Sequence, residues 1–320
     1  MAAAIETEGL TKDFAVGFWR PRPYRALDQL TLTVEAGEVF GFLGPNGAGK
    51  STTLKLLMQL LYPTAGAARI LGRPAGDADV RQRVGFLAEN PYYYDYLTAE
   101  ELLSYFARLF GYRGTEVATR VTRVLDEVGV GQERRMRLRR FSKGMIQRVG
   151  LAQALLNDPD VVFLDEPMSG LDPLGRRQVR DLILALRARG CTVFFSSHIL
   201  SDAEALCGRV GVLVQGRLVA CGPLSEILAF ELKGWELVVA GVSEALRPDL
   251  AQLAARTTQL SDGHVMLHLA PHAEPDRLVG ELTRRGAHIV SLNPVRDTLE
   301  DYFVQVVGSA AARDQRSVGA

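Results

Sequence analysis

Residues 44–51 read Gly-Pro-Asn-Gly-Ala-Gly-Lys-Ser, the Gly-x4-Gly-Lys-Ser spacing of a loop that cradles the phosphates of a nucleoside triphosphate. Gly44, Gly47 and Gly49 let the backbone fold tightly, with Pro45, Asn46 and Ala48 completing the turn, so that N–H groups point inward. Lys50 is placed to reach the β- and γ-phosphates, and the Ser51 hydroxyl to ligate Mg²⁺. Thr52 continues the helix N-terminus that the anion would face. A second constellation is Asp165-Glu166, ending the apolar run Val161–Leu164. A buried parallel strand delivers both carboxylates at its C-terminal edge, where α/β sheets place ligands. Asp165 is expected to hold Mg²⁺ through its water shell, and Glu166 to polarise the attacking water as general base. An acid at a strand end usually caps a helix; the phosphate loop upstream is what makes the catalytic reading the stronger one.

These groups need a framework, and the hydrophobic pattern supplies one. Residues 5–10 and 29–34 alternate in polarity like half-buried antiparallel strands; the segment between, FAVGFWRPRPYR, reads as a loop. The apolar run Val39–Leu43 enters the phosphate loop, and a helix is expected from Ser51 to Leu61. A buried strand begins VGFLAEN (84–90). Thr98 with Glu101 forms a capping box before an apolar-periodic helix, and a second helix is expected over 115–128, so that residues 91–157 are mostly helical. Strand 161–165, helix 173–189, strand 191–197 and helix 199–206 then alternate, which argues for a parallel sheet. A hairpin turning at Gln215-Gly216 closes it. Beyond about residue 230 the texture changes to a βαββαβ order, with helices at 244–256, 274–285 and TLEDYFVQVV (298–307), similar to a ferredoxin-like unit. The expected division is 1–228 for the nucleotide-binding domain, 229–310 for a small α+β domain and 311–320 for a frayed tail.

Composition narrows the class. The 320 residues carry 37 Lys plus Arg and 37 Asp plus Glu, so a globally basic nucleic-acid binder is not indicated. Three scattered cysteines, Cys191, Cys207 and Cys221, lack metal-ligand pairing and suggest a reduced, intracellular protein. No apolar run approaches the ~20 residues needed to span a bilayer, and the N-terminus does not read as a signal peptide.

At Phe141-Ser142-Lys143-Gly144-Met145-Ile146-Gln147-Arg148, followed by LDEP and Ser169-Gly170-Leu171-Asp172, the chain resembles an ABC-type ATPase subunit over residues 5–225. The resemblance implies a P-loop NTPase core of α/β class with antiparallel β and helical subdomains, ATP and Mg²⁺ as cofactors, and further roles. Phe14 takes the place of the aromatic that stacks on adenine. Ser142 and Gly144 match the signature that contacts the γ-phosphate of ATP held by a second protomer. Asp172 falls in the loop joining the two halves, and His198 matches the switch histidine at the γ-phosphate. A signature at a helix start is an anion site that a second subunit must fill. ATP then binds two protomers together, and hydrolysis releases them.

The pattern departs from the family's commonest form at three places. Glu89 stands where a glutamine is usual, leaving an oxygen donor for Mg²⁺ or water but adding charge. Lys143 and Met145 stand where Gly and Gln are common. Phe18, Trp19 and Tyr24 compete with Phe14 for the adenine. The segments ENPYYYDYLT and SKGM resemble ATPases of two-component ABC-2 exporters, which implies a separate membrane-spanning permease and a peripheral position on the cytoplasmic face of the membrane. Tyr92, Tyr93, Tyr94 and Tyr96 read either as a packed corner or as a groove for a short helix of that permease. The run Arg134–Arg140 reads first as a solvated face, then as a contact with anionic lipid or the permease. The rival is a soluble ABC-type ATPase acting on nucleic acid or ribosomes; a P-loop kinase would leave Ser142–Arg148 and His198 unexplained.

Overall fold

Continuous apolar strands imply a sheet covered on both faces. In the computed structural model, which describes residues 2–17, 19, 21–227, 232–241, 250, 254–260 and 263–296, they form one. The strands β1 (Ala3–Val16), β2 (Arg22–Glu35) and β3 (Val39–Leu43) precede helix α1 (Lys50–Leu57). Then come β4 (Ala65–Ile70), β5 (Arg73–Pro74), α2 (Ala78–Gln82), β6 (Val84–Leu87), α3 (Ala99–Leu109), α4 (Thr115–Glu127) and α5 (Lys143–Leu155). The core closes with β7 (Val161–Asp165), α6 (Pro173–Ala188), β8 (Thr192–Ser197), α7 (Leu200–Leu206), β9 (Arg209–Val214), β10 (Arg217–Pro223) and α8 (Leu224–Ile227).

The central sheet runs β10-β9-β3-β8-β7-β6, parallel except for β10, which pairs antiparallel with β9. Every residue of β3, β7 and β8 is buried, which is why these strands read as unbroken apolar runs. Phe40, Phe42 and Phe163 each pack a ring on Phe194, at 5.5, 5.2 and 5.7 Å between centroids. Register aligns Leu43 with Ser197, and Asp165 with Ser196. The C-terminal ends of β3, β8 and β7 therefore meet at one edge, as open α/β sheets require of a ligand site.

A second sheet, β2-β1-β4-β5, is antiparallel. Here the sequence reading needs correction. Most of FAVGFWRPRPYR is not loop: β1 and β2 stay paired through Phe14 opposite Tyr24 and Val16 opposite Arg22. The ladder is held by cross-strand pairs, Phe14 with Tyr24 and Asp13 with Arg25, the latter at 2.8 Å, contacts invisible to local turn chemistry. The same reading passed over β4, β5 and α2. The sequence AGAARI of β4 is mostly exposed and has no alternation to detect. Helix α1 also stops at Leu57 rather than Leu61: Gln59 turns to positive φ (55°), and the N–H groups of Leu60 and Leu61 both return to the Lys55 carbonyl, closing the end.

The helical region keeps its expected start. Thr98 accepts from the Glu101 N–H at 3.2 Å and Glu101 accepts from the Thr98 N–H at 2.8 Å, the reciprocal capping box. Backbone donation lowers the Glu101 carboxyl below its ordinary range. Helix α4 is tied to the turn after α5 by Arg120 and Arg123, which both pair with Asp158 at 2.5 and 2.7 Å. Partial burial pushes the Asp158 carboxyl up, but the two guanidinium bonds outweigh it and hold it below the usual value. A carboxylate lowered in the folded state stabilises above its unfolded pKa and loses that contribution as pH falls through the folded one. Asp158→Asn should therefore flatten the acid limb of a Tm-against-pH curve, while changing Tm least at the lowest pH.

The chain divides into two compact units between Ile227 and Leu228. The second holds β11 (Leu232–Ala240), β12 (Arg256–Gln259), β13 (Val265–Leu269), α9 (Pro275–Arg284) and β14 (His288–Arg296). Its sheet order is β12-β13-β11-β14, with antiparallel neighbours, the order of a ferredoxin-like βαββαβ unit. Most of the helix read at 244–256, all of TLEDYFVQVV and the tail lie outside the described residues.

Candidate nucleotide site

The phosphate loop leaves β3 at Leu43, and the Gly44 N–H donates to the Ser197 carbonyl at 3.4 Å. Gly47 and Gly49 take φ of 80° and 107°, a region open to glycine. At Gly49 a Cβ would also lie 2.5 Å from the Ala26 carbonyl, so no other residue fits. No side chain caps α1, which leaves its first-turn N–H groups to an anion. Lys50 is buried; its ammonium donates to the carbonyls of Gly44 (2.7 Å) and Pro45 (3.2 Å) and lies 3.3 Å from Glu166 Oε1.

Strand β7 brings Asp165 and Glu166 to the same edge, both buried. Ser196 Oγ donates to Asp165 Oδ1 at 2.6 Å and accepts the Glu166 N–H at 3.0 Å. Glu166 itself has φ of 51°. His198 Nδ1 lies 2.8 Å from Glu166 Oε2, a hydrogen bond between the two side chains. Glu166 Oε1, ion-paired with Lys50, is buried and accepts no aligned hydrogen bond. Nearby, Asp202 is buried, and burial raises its carboxyl against the pull of Arg176 and Arg180.

A pocket of about 370 Å³ is lined by Phe14, Tyr24, Pro45, Asn46, Gly47, Gly49, Lys50, Ser51, Thr52, Glu89 and Glu166, with Ala26. The candidate adenine, phosphate and glutamine-position residues thus share one cavity. Phe14 and Tyr24, opposed across β1 and β2, both reach it; Trp19 is 90% exposed and is not part of the lining. Phe18 lies outside the described residues. Gly44 and Ala48 support the loop from below, both buried. Among the described residues no three His, Cys, Asp or Glu side chains form a metal cage. A hydroxyl and a buried carboxylate suit a cation that takes its remaining ligands from phosphate oxygens and water, as Mg²⁺ does.

Ser142 and Gly144 do not line this pocket. Ser142 is the N-cap of α5, accepting the Met145 N–H at 3.2 Å, and is exposed. The start of α5 rests instead on the loop that follows Glu166. Gln147 Nε2 donates to the Pro167 carbonyl at 3.3 Å. Leu171 Cδ2 lies 3.2 Å from where a Gly144 Cβ would stand, and the Lys143 chain covers Gly170. Two contributors escaped the sequence reading: Ser196, and the ledge formed by Pro167, Gly170 and Leu171. The signal for the first was a serine directly after the apolar run Val193–Phe195.

A parallel sheet with a phosphate loop, a buried Asp-Glu pair and a histidine at one edge defines a P-loop ATPase, and comparison with known proteins places it further. The family described as ABC transporter matches residues 27–169. An uncharacterized ABC transporter ATP-binding protein of Synechocystis is 45% identical over 95% of this chain and 84% of that one. The bacitracin transport ATP-binding protein BcrA of Bacillus licheniformis is 33% identical over 96% and 98%. A solved ATP-binding cassette, a dimer in a post-hydrolysis state with ADP and Pi, is 27% identical with a TM-score of 0.63, covering 69% of this chain and 98% of that one. The chain belongs to the ATP-binding proteins of ABC transporters, and it is an ATP-binding, ATP-hydrolysing subunit.

Proposed function

We propose that the protein is the ATPase of a two-component exporter. It pairs with a second ATPase protomer on ATP and drives a separate membrane-spanning permease from the cytoplasmic face of the membrane. The pocket binds ATP with Phe14 against the base and residues 44–52 around the phosphates. Ser51 and Asp165 hold Mg²⁺, with Glu89 contributing an oxygen beside it; bound there, the ion would offset phosphate charge. Glu166 accepts the proton of the attacking water. Lys50 and His198 orient Glu166; Lys50 neutralises charge developing on the γ-phosphate, and His198 contacts it. Ser142 and Gly144 complete the site of the other protomer, in keeping with the dimeric state of the similar cassette.

The single observation that carries coupling to a permease is a shared segment. Glu89 lines the nucleotide pocket, while the next residues, Asn90 to Tyr93, line a second cavity of about 510 Å³ with Met58, Leu60, Phe86 and Phe110. Tyr92 is 97% exposed there, whereas Tyr93 donates to Gln153 Oε1 at 3.1 Å and burial raises its phenol. The cavity is apolar and rimmed by polar groups, as helix-docking grooves are. Among the described residues no helix is long and apolar enough to cross a membrane. The name of BcrA speaks of bacitracin transport, which supports the transport reading without fixing this chain's cargo.

Leu60→Glu should abolish co-purification with a polytopic membrane protein while ATP binding by the isolated chain persists. Retained co-purification would place the permease elsewhere. Vesicles reconstituted with both chains must lose, not accumulate, cargo on the ATPase side; the opposite direction overturns the exporter assignment.

A further inference from the structure

Strand β8 reads Thr-Val-Phe-Phe-Ser-Ser, and a parallel core strand has no packing use for a buried hydroxyl. Ser196 is nonetheless fully buried, between Phe42 of β3 and Asp165 of β7. A buried hydroxyl must be hydrogen-bonded, and this one is fully committed. Its single proton goes to Asp165 Oδ1 at 2.6 Å, and its oxygen receives the Glu166 N–H at 3.0 Å. Glu166 sits at φ 51°, a left-handed setting that residues with a Cβ avoid. In that setting its carboxylate meets both Lys50 and His198, at 3.3 and 2.8 Å.

We infer that Ser196 is a positioning residue for hydrolysis: its oxygen pins the Glu166 amide and so holds the general base in its strained, productive conformation. Without that acceptor the Glu166 N–H is buried and unpaired. The backbone relieves this by returning to negative φ, which turns the carboxylate away from the phosphate loop. The inference rests on Glu166 being the base, as proposed above.

The test measures steady-state ATP hydrolysis, ATP affinity and thermal melting for Ser196→Ala, Ser196→Cys and Ser196→Thr. Losing a buried acceptor should lower kcat by about 10- to 100-fold, with KM for ATP and Tm little changed. Ser196→Cys fills the same space with a weak acceptor and should behave like Ser196→Ala, whereas Ser196→Thr keeps the hydroxyl and should recover turnover. Because Ser196 acts through Glu166, Ser196→Ala should add almost nothing to the defect of Glu166→Gln.

Unchanged turnover in Ser196→Ala overturns the inference. So does a fall in ATP affinity or Tm that parallels the loss of rate in both Ala and Cys variants. A raised Mg²⁺ requirement with full kcat at saturation also overturns it, by placing the effect at Asp165. Normal turnover in Glu166→Gln alone would instead reject the base, which keeps the two failures apart.

Discussion

Glu166→Gln is expected to slow ATP hydrolysis by about 10²- to 10⁴-fold, the usual contribution of a general base, equivalent to about 3–5 kcal/mol of barrier. The substitution keeps the side chain's volume and one oxygen, so β7 and its neighbours need not move. It removes the charge 3.3 Å from Lys50 Nζ and 2.8 Å from His198 Nδ1. Lys50 loses a competitor for phosphate, so ATP affinity should hold or rise. A chain that binds ATP yet cannot consume it should also accumulate as a dimer, seen by size-exclusion chromatography with ATP and not with ADP. Turnover within twofold of the parent would remove Glu166 from the chemistry, and a monomer under saturating ATP would break the link between nucleotide and pairing.

The second large effect concerns Ser142, and its sharpest form is a complementation experiment. Loss of a preorganised donor to developing charge costs about 10²- to 10³-fold in kcat, so Ser142→Ala should be nearly inactive while binding ATP. Ser142→Ala also removes the N-cap of α5, at about 1 kcal/mol of stability, so folding should survive. Combine Ser142→Ala in one protomer with Lys50→Ala in the other. If each site joins one chain's Lys50 to its partner's Ser142, one intact site remains and about half the activity returns. Placing both substitutions in one chain beside an unaltered partner should leave none. A signature that served its own chain's ATP would give the reverse pattern.

The parts of this architecture that the sequence displays are those with a local cause. Continuous apolar runs marked β3, β7 and β8, the Thr98–Glu101 box marked the start of α3, and Gln215-Gly216 marked the turn between β9 and β10. The residues that gather at the sheet edge were equally visible, because glycine geometry, a charged pair at a strand end and a histidine after a strand each have a chemical reason at that spacing. What stayed hidden depends on distant partners. The outer halves of β1 and β2 owe their pairing to Asp13 with Arg25 and Phe14 with Tyr24 across the ladder, so their Pro, Gly and Arg content pointed to a loop. Ser196 looked like strand filler until Asp165 and the Glu166 amide stood beside it. The ledge beneath the signature is formed by residues 20 or more positions away from it, such as Pro167 under Gln147, and no periodicity announces such a contact.

That ledge has a consequence for how two such chains work as a pair. If Ser142 and Gly144 face a partner's ATP as proposed, the surface they offer is propped on the same short loop that begins at this chain's own Glu166. Neither site can therefore be tuned in isolation. If this chain pairs with a dissimilar sibling whose loop has drifted, the platform pressed against this chain's nucleotide stands at the sibling's height. The tempo of hydrolysis here is then written partly in another gene, and the two must drift together or fall out of step.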